Sequence, residues 1–159
     1  MFAVDLICVG GLKERFWKEA CAEYEKRLGG RMKIRLTELE EEHLPARPSP
    51  AAIQAALEKE AAHIRARLRP GAYTVALCID GERMDSEAFA RFLGERMTLP
   101  GELTFLIGGS HGMADGIIRQ ARLRLSFSPM TFPHMIARVL LYEQLYRGVS
   151  ILEGSRYHK

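Results

Sequence analysis

With 159 residues, 47% of them apolar and 27% charged, the chain has the composition of a soluble globular protein and enough length to bury roughly two-thirds of its unfolded surface. The formal net charge of +3 is too small to mark a nucleic-acid binder by itself, and no apolar run approaches the ~18 residues that a membrane span requires. Cys8, Cys21 and Cys78 form no CxxC pair, which excludes a disulfide framework and reads as reduced thiols in a cytoplasmic protein.

The opening MFAVDLICVGG has neither the basic leader nor the cleavage site of a secretory signal, and residues 2–9 read as a mostly apolar first strand. An amphipathic helix is predicted from about Lys13 to Leu28, ended by Gly29 and Gly30. MKIRLTEL then alternates like a half-exposed strand, and the polar, Pro-rich residues 40–50 make a loop. Ser49 and Pro50 supply an N-cap and first helical residue for a helix to about Arg69, closed by Pro70 and Gly71. YTVALCID is a buried strand, Asp85-Ser86-Glu87 opens a helix to about Met97, and ELTFLIGG is the next buried strand. A short helix over 114–120 precedes the alternating ARLRLSFS. The chain closes with a helix from Pro133 to about Arg147 and a tail, GVSILEGSRYHK. Strands separated by helices predict an α/β fold in which helices sandwich a mostly parallel sheet, with residues 1–159 as one domain.

Charge is unevenly spread. Residues 119–159 hold seven Lys and Arg against Glu143 and Glu153, net +5, whereas the first 118 residues hold 16 cations against 18 anions, net −2. A polyanion meeting the C-terminal third fits that asymmetry, and so does a merely solvated basic face.

In a parallel sheet, ligands bind beyond the carboxyl ends of the strands. Three such ends stand out: Leu77-Cys78-Ile79-Asp80-Gly81, Ile107-Gly108-Gly109-Ser110-His111-Gly112 and Phe127-Ser128-Pro129-Met130-Thr131-Phe132. Gly108 and Gly109 let a ligand approach the backbone closely. Neither GxxxxGK[ST] nor GxGxxG is present, which disfavours an NTPase or a dinucleotide enzyme. A loop of Phe, Pro, Met and Thr suits a flat apolar ring, or is a turn that packs its own Phe and Met into the core.

In the final helix, Met135, Ile136, Val139 and Leu140 are expected to face the core, while His134 and Arg138 share another face. Glu143 and Arg147 stand four apart, the spacing of a surface ion pair. In the tail, Tyr157 can stack on a base, His158 can carry a proton near neutral pH, and Arg156 and Lys159 can meet phosphate, although chain ends usually fray. Neither Ser110 nor Ser128 lies in GxSxG, and His43, His63, His111, His134 and His158 show no metal-ligand spacing, so neither a hydrolase nor a metal is expected.

Taken together, LCIDG at 77–81, FLIGGSHG at 105–112, LSFSPMTFPHMIARVLLYEQLYR at 125–147 and the terminal Tyr157-His158-Lys159 resemble the ribosomal RNA large-subunit methyltransferase H family, a compact branch of the SPOUT methyltransferases. The resemblance covers essentially the whole chain. It implies a C-terminal trefoil knot, a homodimer and S-adenosylmethionine as methyl donor, bound by Leu77, Gly108, Phe127, Ser128, Pro129, Met130, Thr131 and Phe132. The implied substrate is a pseudouridine of large-subunit (23S) ribosomal RNA, methylated at N3 on the assembled ribosome. Under that reading Arg147, with Arg138, stabilises charge on the base, Tyr157 and His158 position it and assist loss of its proton, and His134 orients the helix start. The alternative is a knotted RNA-binding module that assists ribosome assembly without catalysis.

Overall fold

The computed structural model describes residues 1–159. Five strands, β1 (Phe2–Val9), β2 (Met32–Leu39), β3 (Tyr73–Arg83), β4 (Leu103–Ile107) and β5 (Leu123–Ser126), form one sheet in the order β2-β1-β4-β3-β5. Every pairing is parallel. Five helices connect them: α1 (Arg15–Leu28), α2 (Pro50–Arg67), α3 (Ser86–Thr98), α4 (Asp115–Gln120) and α5 (His134–Leu152).

Successive residues of a strand point to opposite faces, and here both faces are covered. Leu6 and Cys8 of β1, Val75 of β3 and Phe105 of β4 pack into one core with Cys21 of α1, Phe89 and Leu93 of α3, and Leu141, Tyr142 and Leu145 of α5. Ile7 and Val9 of β1, Ala76 of β3 and Leu106 of β4 face the other way, against Ala61 and Ile64 of α2 and Ile117 of α4. Each fully buried Leu or Ile contributes ~1.5–3 kcal/mol relative to exposure. This continuous double burial is why the central strands read as apolar runs.

The predicted starts hold where a side chain caps the helix. Ser49 Oγ accepts from the Ala52 N–H at 3.1 Å and Asp85 Oδ1 from the Ala88 N–H at 2.7 Å. Two expectations for the last helix are corrected. First, α5 runs to Leu152, five residues beyond Arg147, because tertiary packing holds the tail sequence: Gly148, Val149 and Ser150 are all buried. A Cβ on Gly148 would stand 2.6 Å from Leu93 Cδ1, so glycine lets α5 lie close on α3.

Second, the core stripe is Arg138, Leu141, Tyr142, Leu145 and Val149, whereas Met135, Ile136, Val139 and Leu140 are only half-buried. Apolar residues lie on several sides of this helix, so its sequence fits more than one stripe. Docking between α1 and α3 selects the one that is buried.

The β3–β5 ladder is interrupted in a way that shapes the site. Leu77 and Glu82 both stand opposite Leu125, so the four residues 78–81 leave the ladder. Gly81 lies flat on the neighbouring backbone, where a Cβ would meet Leu125 C at 2.7 Å and Arg124 O at 2.8 Å.

Candidate functional site

All five strands point their carboxyl ends the same way, and the three stretches expected to meet there do so. They enclose a cavity of about 490 Å³, within the ~300–1,000 Å³ usual for small-ligand sites. Leu77 and the displaced residues Cys78, Ile79 and Asp80 of β3 form one wall, and Gly108 to Gly112 form a second. Phe127, Ser128, Met130, Thr131 and Phe132 form a third. Pro129, expected among them, lines no part of it. Ile107, Met113 and Leu125 also line it, as do Ile118 of α4 and Ala137 of α5, and nothing in the sequence context of the last two marked them.

The glycine wall is compressed. A Cβ on Gly108 would stand 2.4 Å from Gly112 O, and Gly112 itself adopts φ +78°, so this turn requires glycine at both ends. The clasp after β5 is held by its own serines: Ser126 Oγ donates to Ser128 O at 3.1 Å, and the Met130 N–H donates to Ser128 Oγ at 3.0 Å. Met130 is 72% exposed and Phe132 38% exposed, so these side chains are not packed into the core. Apolar groups presented over a glycine turn fit a small ligand with an apolar part.

The remaining predicted residues fall into two separate groups. His134 and Arg138 stand at the end of β1. Arg138 is 1% exposed, and its Nη1 donates to Glu38 Oε2 at 2.7 Å and its Nη2 to Gly10 O at 2.8 Å. Arg138, expected beside Arg147 as a cation for the base, is instead buried and paired within its own chain, where it clamps α5 to the ends of β1 and β2. His134 packs on Gly10, where a Cβ would lie 3.0 Å from Cε1, and its buried Nδ1 has no partner. Burial, the largest cause, pushes the His134 pKa down and keeps the ring neutral. It makes no hydrogen bond to the clasp, and α5 has no side-chain cap.

Arg147, Tyr157 and His158 do come together, around Glu143, which was expected only as a surface partner. Arg147 Nε donates to Glu143 Oε1 at 2.8 Å and the Tyr157 hydroxyl donates to Glu143 Oε2 at 2.9 Å. The Arg147 guanidinium lies 4.6 Å from the centre of the Tyr157 ring, in cation–π range. Its Nη1 is 3.3 Å from His158 Nδ1. Arginine can only donate, so Nδ1 accepts and a neutral His158 carries its proton on Nε2. Burial and the bond to Glu143 push the Tyr157 pKa up, which keeps the phenol protonated. None of the three lines the cavity. Arg147 lies ten residues beyond Ala137 on α5, about 15 Å along the axis.

An all-parallel α/β sheet with a cavity of small-ligand size at its strand ends defines a ligand-binding α/β protein of the strand-end type. Comparison with known proteins narrows this. A family model described as "Predicted SPOUT methyltransferase" matches residues 2–158. A curated relative from Caldicellulosiruptor saccharolyticus, named ribosomal RNA large subunit methyltransferase H, is 43% identical over 156 residues, covering 98% of this chain and 99% of that protein. Among solved structures, a probable methyltransferase from Bordetella pertussis aligns with a TM-score of 0.55 at 17% identity over 92% of this chain and 95% of its own. A probable methylase family protein from Haemophilus influenzae aligns at 0.54 and 12% identity over 99% of this chain and 70% of its own. These two likenesses carry the fold alone. The chain belongs to the SPOUT methyltransferase family.

Proposed function

We propose that this methyltransferase uses S-adenosylmethionine to methylate N3 of a pseudouridine in large-subunit ribosomal RNA on the assembled ribosome, in the cytoplasm. The single observation that carries the proposal is the 490 Å³ cavity whose walls are Leu77, Gly108 and the 127–132 clasp, in a chain 43% identical to a protein named for that RNA subunit. S-adenosylmethionine supplies an electrophilic methyl group when bound. Leu77, Phe127, Met130 and Phe132 would hold its apolar parts, and the backbone beside Gly108 would approach it without a side chain in between.

N3 of pseudouridine lies between two carbonyls and must lose its proton before it can attack. A preorganised cation favours the anion that develops on those carbonyl oxygens, and a nearby base takes the proton. Arg147 is the cation of this reading. Tyr157 stacks or hydrogen-bonds the base, and neutral His158 has a proton-accepting nitrogen to offer once Arg147 turns to the substrate. Arg138 keeps its place as the clamp that orients α5.

Because the tail cluster lies away from the cavity of its own chain, the reading includes a homodimer in which one subunit's Arg147, Tyr157 and His158 serve the cavity of the other. The half-buried Met135, Ile136 and Leu140 supply an apolar face for that contact. Threading of the chain as a trefoil knot belongs to the same reading, supported by Gly81 pressed onto the β5 backbone. Arg119, Arg122, Arg124, Arg156 and Lys159 are exposed and engage in no ion pair, which leaves them free for phosphate.

The test is mass mapping of methylated nucleotides after incubating ribosomes that lack the modification with this protein and donor. One added methyl on a large-subunit pseudouridine is expected. Methylation of another nucleotide, or none, overturns the substrate assignment.

A further inference from the structure

We propose that Glu41 is a positioning residue for the donor cavity, its carboxylate latching the Gly108–Gly112 turn in the shape that leaves room for the donor. Residues 40–48 lie far from the cavity in sequence and line none of it. Yet Glu41 Oε1 accepts the Ser110 N–H at 2.7 Å. The same oxygen occupies the space that a side chain on Gly109 would take, since a Cβ there would stand 2.7 Å away. One residue on, the Glu42 N–H donates to Glu60 Oε2 at 2.9 Å, and Glu60 is 5% exposed inside α2. The segment is thus fastened at successive residues, by a side chain to the turn and by its backbone to a buried anchor.

The turn needs such a latch. Its internal bond, from the Gly112 N–H to Gly109 O at 3.1 Å, leaves three glycines with wide backbone freedom over residues 108–112. The turn is also a partition. On its far side lies a second, polar cavity of about 800 Å³ lined by Gly10, Glu14, Glu40, His43 and His134, and Ser110 and His111 face both cavities. Without the carboxylate, the partition can relax toward the donor side. A bond between an ionised acceptor and a backbone N–H is about twice as strong as a neutral one, which suits it to holding a flexible turn.

This inference rests on the reading of the 490 Å³ cavity as the donor site. Calorimetry with S-adenosylmethionine and single-turnover methylation should be run on the full chain and on Glu41→Ala and Glu41→Gln. Glu41→Ala is expected to raise donor Kd and KM about tenfold, the equivalent of one hydrogen bond to a charged group, with little change in the rate at saturating donor. Glu41→Gln keeps an acceptor oxygen and should recover most of the affinity. Amide exchange at Ser110, measured without donor, should quicken in Glu41→Ala. Wild-type donor affinity in Glu41→Ala, a fall in the saturated rate alone, or Glu41→Gln as weak as Glu41→Ala would each overturn the latch. A wild-type protein that binds no donor overturns the cavity's assignment instead, and the Ser110 exchange rate still decides whether the turn is held.

Discussion

Replacing Arg138 by Met separates a buried clamp from a catalytic cation. The wild-type guanidinium makes two charge-assisted bonds, at 2.7 Å to Glu38 and 2.8 Å to Gly10 O, each worth ~1.5–3 kcal/mol. Against that stands the several kcal/mol spent in stripping water from a cation, which methionine of similar length avoids. Gly10 O is left unpaired, at a cost of ~1–3 kcal/mol, while Glu38, 43% exposed, returns to solvent. The net loss should be about 2 kcal/mol, or about 4–8 °C in Tm for a chain of this size.

Glu38→Ala should cost more, ~3 kcal/mol, although Glu38 is the more exposed partner, because it strands a buried charge. Urea unfolding monitored by circular dichroism measures both. Folded Arg138→Met should retain its single-turnover rate at saturating donor. Unchanged stability with a rate lowered a hundredfold would refute the clamp and return Arg138 to the reaction.

Gly108→Ala forces a Cβ to within 2.4 Å of Gly112 O, so the turn must shift by about 1 Å toward ordinary contact, and donor binding by calorimetry should fall below detection while the fold persists. Arg147→Ala and His158→Ala should each slow single-turnover methylation at saturating donor by about a hundredfold, in the range expected for a lost electrostatic or proton-transfer group; unchanged rates remove that residue from the reaction. Arg122→Glu with Arg124→Glu should weaken ribosome binding and reduce its logarithmic salt slope by ~0.7–0.9 per lost phosphate contact, measured by filter binding. His134 gives a pH test. Its folded pKa lies below the usual ~6.5, so the unfolded chain takes up a proton first and stability falls as pH drops below about 6.5. Urea midpoints from pH 7.5 to 5.5 should therefore decline more steeply in wild type than in His134→Asn, and equal slopes would contradict the buried neutral ring.

Much of the architecture was legible because it rests on local chemistry. Strand alternation and apolar runs marked all five strands, and Ser49, Asp85 and Gly29 marked helix ends through caps that the backbone uses. The cavity's walls were legible because ligand sites in parallel sheets collect at strand ends. What stayed hidden depends on contacts distant in sequence. Arg138 reads as a surface cation until Glu38, a hundred residues earlier, arrives beside it. The buried stripe of α5 is chosen by α1 and α3. Ile118 and Ala137 enter the cavity only because α4 and α5 pack there, and Glu41 meets Ser110 across 69 residues. Glu143 looked like half of a surface ion pair, and only the fold brings Tyr157 onto it and His158 onto its partner Arg147.

The space between Leu77, Gly108 and the 127–132 clasp should receive the methyl donor. A crystal structure of the protein soaked with S-adenosylmethionine measures this directly. The ligand is expected inside that cavity, its ring between Leu77 and Phe132 and the Gly108 backbone against it. Density for the ligand elsewhere, with Met130 and Phe132 folded inward to fill the cavity, would contradict it.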